Sequence, residues 1–382
     1  MGANIRRSLI LSALLKRKSL FLLGPRQVGK STLLKDSFPD ARFINLLEAD
    51  TFRRLSTYPE SLRESLKGDE TLIILDEIQK LPHLLDEVQL LMDRNPSLRF
   101  ILTGSSARKL RGGKANLLGG RAAMASLHPL TLHETPAEQW NTLLNNGGLP
   151  RVFLSGDFAN EELLAYLGTY LREEIQSEGL VRNLSQFSRF LDVVAQCNGE
   201  QINYTAVGSD AEVNRRTVMD HFQILYDTLV AYSLPPYQKT TKRKPVATEK
   251  FYLFDLGVSR TLAKIPAIVS GSAAYGKSLE QAIFLELRAY LDYSRNPETL
   301  YYWRSQSQKE VDFVVGEIAI EVKGKSHVSA DDLSGLRTLM EEKLLKHYVC
   351  VSLEKAPRKT EDGIEILPLR DFVERLWGDG II

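Results

Sequence analysis

Ser19-Leu20-Phe21-Leu22-Leu23-Gly24-Pro25-Arg26-Gln27-Val28-Gly29-Lys30-Ser31-Thr32-Leu33-Leu34-Lys35 decides the fold of the first part of this chain. Its first five residues form an apolar run that predicts a short buried strand, and Thr32 to Lys35 continue as a helical pattern. Between them stands GxxxxGK[ST], in the strand-loop-helix context that gives the pattern its meaning. Gly24 and Gly29 allow a tight turn and close backbone approach, while the loop N–H groups and the helix N-terminus face an anion. Lys30 reaches the β- and γ-phosphates of a nucleotide, and Ser31 offers a hydroxyl to magnesium. The expected nucleotide-binding residues are therefore Gly24, Pro25, Arg26, Gln27, Val28, Gly29, Lys30, Ser31 and Thr32.

A second signal lies downstream. Thr71 to Leu75 is an apolar strand suited to the centre of a parallel sheet, and it ends in Asp76-Glu77. A carboxylate at the C-terminal end of such a strand lies on the ligand edge of an open α/β sheet. There Asp76, with Ser31, is expected to hold Mg2+, and Glu77 to orient or deprotonate an attacking water. Phe43 to Leu46, Arg99 to Thr103 and Ala122 to Leu127 are further strand candidates, alternating with helical patterns such as Leu84 to Met92. Five strands with crossover helices predict a doubly wound parallel sheet.

With these motifs in view, the chain resembles the AAA-type P-loop ATPases of bacteria and archaea whose C-terminal half is uncharacterised. The resemblance rests on the Gly24 to Thr32 loop, the Leu72 to Gln79 stretch, the strand end Leu102-Thr103-Gly104-Ser105-Ser106, and Leu117-Leu118-Gly119-Gly120-Arg121. It implies ATP and magnesium as ligands and a homo-oligomer, a hexamer by analogy. It also implies Ser105 as the polar residue that senses the γ-phosphate, with Thr103 next, and Arg121 as an arginine that reaches a neighbouring subunit's site. The alternative for Arg121 is a structural arginine that binds helix-end carbonyls.

The rest of the chain reads as three further modules. From 131 to 185 the pattern is helical, broken at Asn145-Asn146-Gly147-Gly148-Leu149-Pro150, where the resemblance places a helical lid and a Gly-Gly-x-Pro signature. From 186 to 255, Phe187 to Gln196, Asn203 to Gly208 and Val213 to Leu229 are spaced as a helix-turn-helix, with Arg215 and Arg216 opening the second helix. Strand-like Val230 to Tyr237 and Lys250 to Phe254 follow, joined by a loop holding Lys239, Lys242, Arg243 and Lys244. A winged helix that binds DNA through these six cations is the reading, with a protein-docking module or a merely solvated basic loop as the alternatives.

From 256 to 382, the stretch Gly276 to Tyr290 is helical, and Val311 to Val315 with Ile318 to Lys323 form a hairpin turning at Gly316-Glu317. Period-two alternation puts Glu321 and Lys323 on one face, with Asp312 across the pair. Two carboxylates and a lysine in that arrangement suit a divalent metal and a water aimed at a phosphodiester. The set resembles the PD-(D/E)xK nucleases, a restriction-endonuclease-like α/β fold. That resemblance implies Glu280 as the acid on the preceding helix and admits a second divalent metal, although Val311 stands where proline is usual.

Composition bounds the rest. The chain has 382 residues, 43% hydrophobic and 25% charged, and a formal net charge of +1, which excludes a disordered, collagen-like or coiled-coil chain and suggests several domains. The balance conceals a gradient: 1–130 carries 21 basic and 13 acidic residues, 131–185 carries 3 and 8, 186–255 carries 8 and 8, and 256–382 carries 17 and 19. From Arg94 to His133 there are seven cations (Arg94, Arg99, Arg108, Lys109, Arg111, Lys114, Arg121) and no acid, which suggests an anionic visitor. Cys197 and Cys350 are expected to be buried thiols, and the six histidines show no metal-ligand spacing. No apolar run approaches the ~20 residues of a membrane helix, and Lys16-Arg17-Lys18 interrupts the N-terminal apolar stretch, so no membrane partner and a cytoplasmic location are expected.

The expected fold is thus an AAA-type parallel sheet (1–130) with a helical lid, a winged helix-turn-helix and a nuclease-like domain. The function expected first is a Mg-dependent ATPase acting on duplex or branched DNA, by remodelling, translocation or branch migration. An ATP-regulated DNA nuclease in repair or defence, and a nucleotide-dependent scaffold that binds protein partners, are the alternatives.

Overall fold

The structure is a computed structural model that describes residues 5–105, 117–171 and 183–382. Four cations of the basic stretch (Arg108, Lys109, Arg111, Lys114) lie outside the described residues, as does 172–182 of the expected lid. The chain divides into two compact units, one comprising 6–128 with 227–230 and the other the remainder.

In the first unit, strands β1 (Ser19–Leu23), β2 (Arg42–Asn45), β3 (Leu72–Asp76), β4 (Arg99–Gly104) and β5 (Ala122–Ser126) form one sheet in the order β2-β3-β4-β1-β5. All four pairings are parallel. β1 is buried along its whole length, as a strand with neighbours on both sides and helices on both faces must be. The helix Leu84–Arg94 turns Leu84, Leu85, Val88 and Leu91 inward, a helical stripe that packs with Phe21, Ile73, Leu75, Phe100 and Leu102. Because β4 lies between β1 and β3, the loop after β1, the acids after β3 and the hydroxyls ending β4 share one edge of the sheet.

The second unit contains both helices and a mixed sheet. The helices Leu184–Val194, Tyr204–Asp210 and Arg215–Asp227 follow one another, each opened by a side chain that accepts N-terminal N–H groups: Asn183 from Gln186, Asn203 from Thr205 and Ala206, and Asn214 from Thr217. Edge-to-face rings at Phe190–Phe222 and Phe222–Phe251, each 5.2 Å between centroids, fix them to the antiparallel pair β6 (Ala231–Leu234) and β7 (Lys250–Leu253). Beyond the long helix Ala273–Ser294, six strands run in the order β12-β13-β11-β10-β9-β8. These are β8 (Leu300–Arg304), β9 (Glu310–Val315), β10 (Ile318–Val322), β11 (His347–Ser352), β12 (Arg358–Lys359) and β13 (Glu365–Pro368). The β9–β10 hairpin turns at Gly316, whose φ of 54° suits glycine.

The segment expected as a lid packs within this second unit. Gly147 has a φ of 80°, and a Cβ there would lie 2.2 Å from the Asp255 carboxylate, so the glycine pair leaves room for that carboxylate to approach. Asp255 accepts the Gly148 N–H at 2.7 Å and the Val258 N–H at 2.9 Å, which caps the helix Leu256–Leu262. A second buried carboxylate, Glu286, accepts the N–H groups of Leu132 (2.6 Å), His133 (3.1 Å) and the Trp377 indole (2.7 Å). Burial pushes Asp255 up to about 6 and Glu286 up to about 7, against the pull of these donors. Cys350 is buried as expected, whereas Cys197 is only half-buried because it ends a helix near solvent. Among the described residues no helix is long and apolar enough to cross a membrane.

Candidate functional site

The loop after β1 curls over the end of β5. A Cβ at Gly24 would meet the Leu127 carbonyl oxygen at 2.4 Å, so only glycine fits there. Gln27 and Gly29 hold positive φ values of 63° and 93° and turn the chain into the helix Lys30–Ser37. Lys30 is buried and donates from Nζ to the carbonyls of Gly24 (2.7 Å) and Pro25 (2.9 Å), which holds the ammonium inside the loop. Arg7, which no motif marks, donates to the carbonyls of Val28 at 2.7 Å and His128 at 2.5 Å and staples the loop to the chain after β5.

The acids after β3 meet this loop. Ser31 Oγ donates to Asp76 Oδ2 at 2.7 Å. Thr103 Oγ1 donates to the other oxygen of Asp76 and accepts the Glu77 N–H at 3.0 Å. The next link is Gln79, whose Nε2 donates to the Glu77 carboxylate and to Ser105 Oγ, the latter at 3.2 Å. Ser31, Asp76, Glu77, Thr103 and Ser105 are therefore brought together as the sequence leads one to expect, and Thr103 stands nearer to both acids than Ser105 does. A hydroxyl and a carboxylate oxygen side by side are the hard oxygen donors Mg2+ takes beside substrate phosphates, so Ser31 and Asp76 fit that ion. Arg121 precedes β5 and pairs with Asp93 of its own chain at 3.0 Å; both side chains are close to half-exposed, so water screens the pair.

A phosphate-binding loop after β1, an acidic strand end on β3, polar residues ending β4 and the order β2-β3-β4-β1-β5 together define an AAA-type P-loop ATPase domain. Residues 16–135 match the AAA domain family, while 137–268 and 275–372 match two families described as domains of unknown function (DUF8612 and DUF4143). The chain thus carries an AAA domain followed by two domains of unknown function, and it is similar to uncharacterised bacterial and archaeal proteins. An uncharacterised protein of Mycobacterium tuberculosis is 28% identical over 325 residues, covering 82% of this chain and 70% of that one. One of Methanocaldococcus jannaschii is 23% identical over 321 residues, covering 70% and 67%. Among solved structures, the replication initiator DnaA bound to AMPPCP and single-stranded DNA covers 55% of this chain and 82% of its own at 12% identity, with a TM-score of 0.28, too low to carry an argument.

The second unit holds an acid cluster. Asp312 on β9 and Glu321 on β10 are buried, and Lys323 reaches Glu321 at 2.5 Å, as the alternation predicts. The strand pairs run from Ile318–Val315 to Ile320–Phe313, and one position further Asp312 accepts the Val322 N–H at 2.7 Å. Glu280 faces the cluster from the long helix. The residue that sequence reasoning missed is Lys250, which starts β7. Its side chain, 4% exposed, lies 3.1 Å from Glu280 and 2.6 Å from Glu310, and the Tyr252 hydroxyl donates to Glu280 at 2.6 Å.

Burial by itself would lower the lysine's pKa, but Glu280, Asp312 and Glu310 reverse this and hold Lys250 well above the usual lysine range. Burial, then the charges of Glu321 and Glu280, push Asp312 well above the carboxylate range, and burial pushes Glu321 up to about 7 against Lys323. Among the described residues no group of three or more His, Cys, Asp or Glu is disposed to hold a metal, and the ammonium groups of Lys250 and Lys323 pair with Glu280 and Glu321. A lysine opening an otherwise apolar buried strand was the available signal, since lysine is rarely buried without partners.

Arg215 and Arg216 lie exposed at the start of their helix, as expected. The basic loop is not free in the way the sequence suggests. Glu342 accepts the N–H groups of Thr241 (3.0 Å), Lys242 (3.0 Å) and Arg243 (2.9 Å), Lys242 Nζ donates to the Glu341 carbonyl at 2.6 Å, and Arg243 pairs with the Glu341 carboxylate at 2.6 Å. The loop is docked on the end of the helix Ser334–Met340 through Lys242 and Arg243, and Lys239, Lys242 and Lys244 are exposed.

Proposed function

We propose that the chain is a Mg-dependent ATPase that works as a homo-oligomer and couples hydrolysis to engaging or remodelling DNA. The observation that carries the ATPase reading is the hydrogen-bonded series from Ser31 through Asp76, Thr103 and Glu77 to Ser105 on one sheet edge. Lys30 and the loop N–H groups bind the β- and γ-phosphates; Glu77 accepts the proton of the attacking water; Ser105 donates to the γ-phosphate. Mg2+, held by Ser31 and Asp76, supplies charge neutralisation at the phosphates. In this reading Arg121 leaves its screened pair with Asp93 and serves a neighbouring subunit. Support for DNA is the exposed Arg215 and Arg216 at a helix start, with Lys239 and Lys244 nearby in sequence. The test is ATP turnover by wild type and Lys30→Ala across a panel of single-stranded, duplex and four-way DNA. Loss in the variant and stimulation by DNA are expected, and DNA-independent turnover sinks the DNA half.

A second reading, a DNA nuclease acting through Glu280, Asp312, Glu321 and Lys323, is favoured by the apposition of Asp312 and Glu321 beside Lys323. Metal-dependent cleavage by wild type, abolished in Asp312→Ala, is its requirement; no cleavage by either leaves this domain as a binding module.

A further inference from the structure

We propose that Gln79 is the positioning residue of the nucleotide site, orienting the Glu77 carboxylate and tying it to Ser105. Glu77 has a φ of 64°, a left-handed conformation that a glutamate adopts only where its surroundings impose it. Two groups impose it here: Thr103 receives the Glu77 N–H, and Gln79, in the turn Ile78–Lys80, holds the carboxylate. Both partners of the Gln79 –NH2 group are accounted for, one on Glu77 and one on Ser105 Oγ, so a single amide fixes the distance between base and phosphate sensor.

The amide is also built in at a cost. Gln79 is buried, and its Oε1 has no hydrogen-bond partner among the described residues, a deficit that a purely structural position would shed by carrying leucine. A Cβ at Gly104 would lie 2.8 Å from this oxygen, so a larger residue at the end of β4 would shift the amide. Ser105 accepts from Gln79 and keeps its own O–H to donate to a γ-phosphate, so one hydroxyl joins the amide to the nucleotide. Ser105 and Glu77 therefore adjust together through Gln79.

The assignment rests on the ATPase reading. The experiment compares full-length wild type, Lys30→Ala, Gln79→Leu and the isosteric Gln79→Glu, measuring kcat and KM for ATP, affinity for a fluorescent ATP analogue, and Tm. In both Gln79 variants kcat is expected to fall about 10- to 100-fold, the cost of a misplaced catalytic group, with KM and analogue affinity within about twofold of wild type; Tm stays unchanged in Gln79→Leu, whereas Gln79→Glu sets a second carboxylate against Glu77 and lowers it. Wild-type kcat in Gln79→Leu, or kcat, affinity and Tm falling together, overturns the assignment while leaving the ATPase reading intact, provided Lys30→Ala is inactive. Absence of Mg-dependent hydrolysis in the wild type overturns both.

Discussion

Replacing Lys250 by methionine removes the cation from the acid cluster while keeping the length of its side chain. Lys250 lies 3.1 Å from Glu280 and 2.6 Å from Glu310, and its charge also acts on Asp312. Removing one partner of a buried ion pair costs about 3–5 kcal/mol, and the lower end applies here because Glu310 keeps Arg304 at 3.0 Å. At about 2–4 °C per kcal/mol for a unit of this size, Tm should drop by on the order of 10 °C. The three tryptophans of the chain, Trp140, Trp303 and Trp377, all belong to the second unit, so intrinsic fluorescence during heating reports on that unit alone.

The loss should also depend on pH. Asp312 and Glu321 already have folded-state pKa values above their ordinary ones, so the folded state holds extra protons and stability falls as pH rises from the usual carboxylate range. Without Lys250 that slope steepens, and the difference between variant and wild type should be smaller at pH 5 than at pH 8. A variant that melts within about 1 °C of wild type at both pH values, well below the shift expected, would refute Lys250 as the counter-ion of the cluster.

Three further outcomes are expected. Gly147→Ala forces a side chain into a position with φ of 80° and 2.2 Å from Asp255, and should destabilise the second unit by about 2–4 kcal/mol in denaturant unfolding, as strain and overpacking combine. The double variant Glu341→Ala/Glu342→Ala releases Lys242 and Arg243; binding to duplex DNA in low salt should tighten and its salt dependence steepen if this loop contacts phosphates, and unchanged binding would exclude the loop from the interface. In wild type, Asp255 raised to about 6 and Glu286 raised to about 7 add to the same slope: the second unit should be more stable near pH 5.5 than near pH 8, with the loss complete once pH passes the Glu286 value, and a Tm that rises over this interval would contradict the burial assigned to these carboxylates.

The sequence alone determined the nucleotide half. Strand, loop and helix at Ser19 to Lys35 are local, their chemistry is carried by residues a few positions apart, and Asp76-Glu77 sits at a strand end whose position in a parallel sheet follows from topology rules. The alternation that paired Asp312 with Glu321 was legible for the same reason, since a period of two fixes the face of a strand. What the tertiary structure decided was who else enters each site. Gln79 is recognisable only once the end of β4 lies beside the turn after β3, and the partners of Lys250 only once β7 lies against the long helix and β9. The wing-like loop shows the same limit: its cations are plain in the sequence, but Glu341 and Glu342, about a hundred residues away, take up two of them. Charge pairing between distant segments depends on which surfaces meet, and local periodicity carries no record of that.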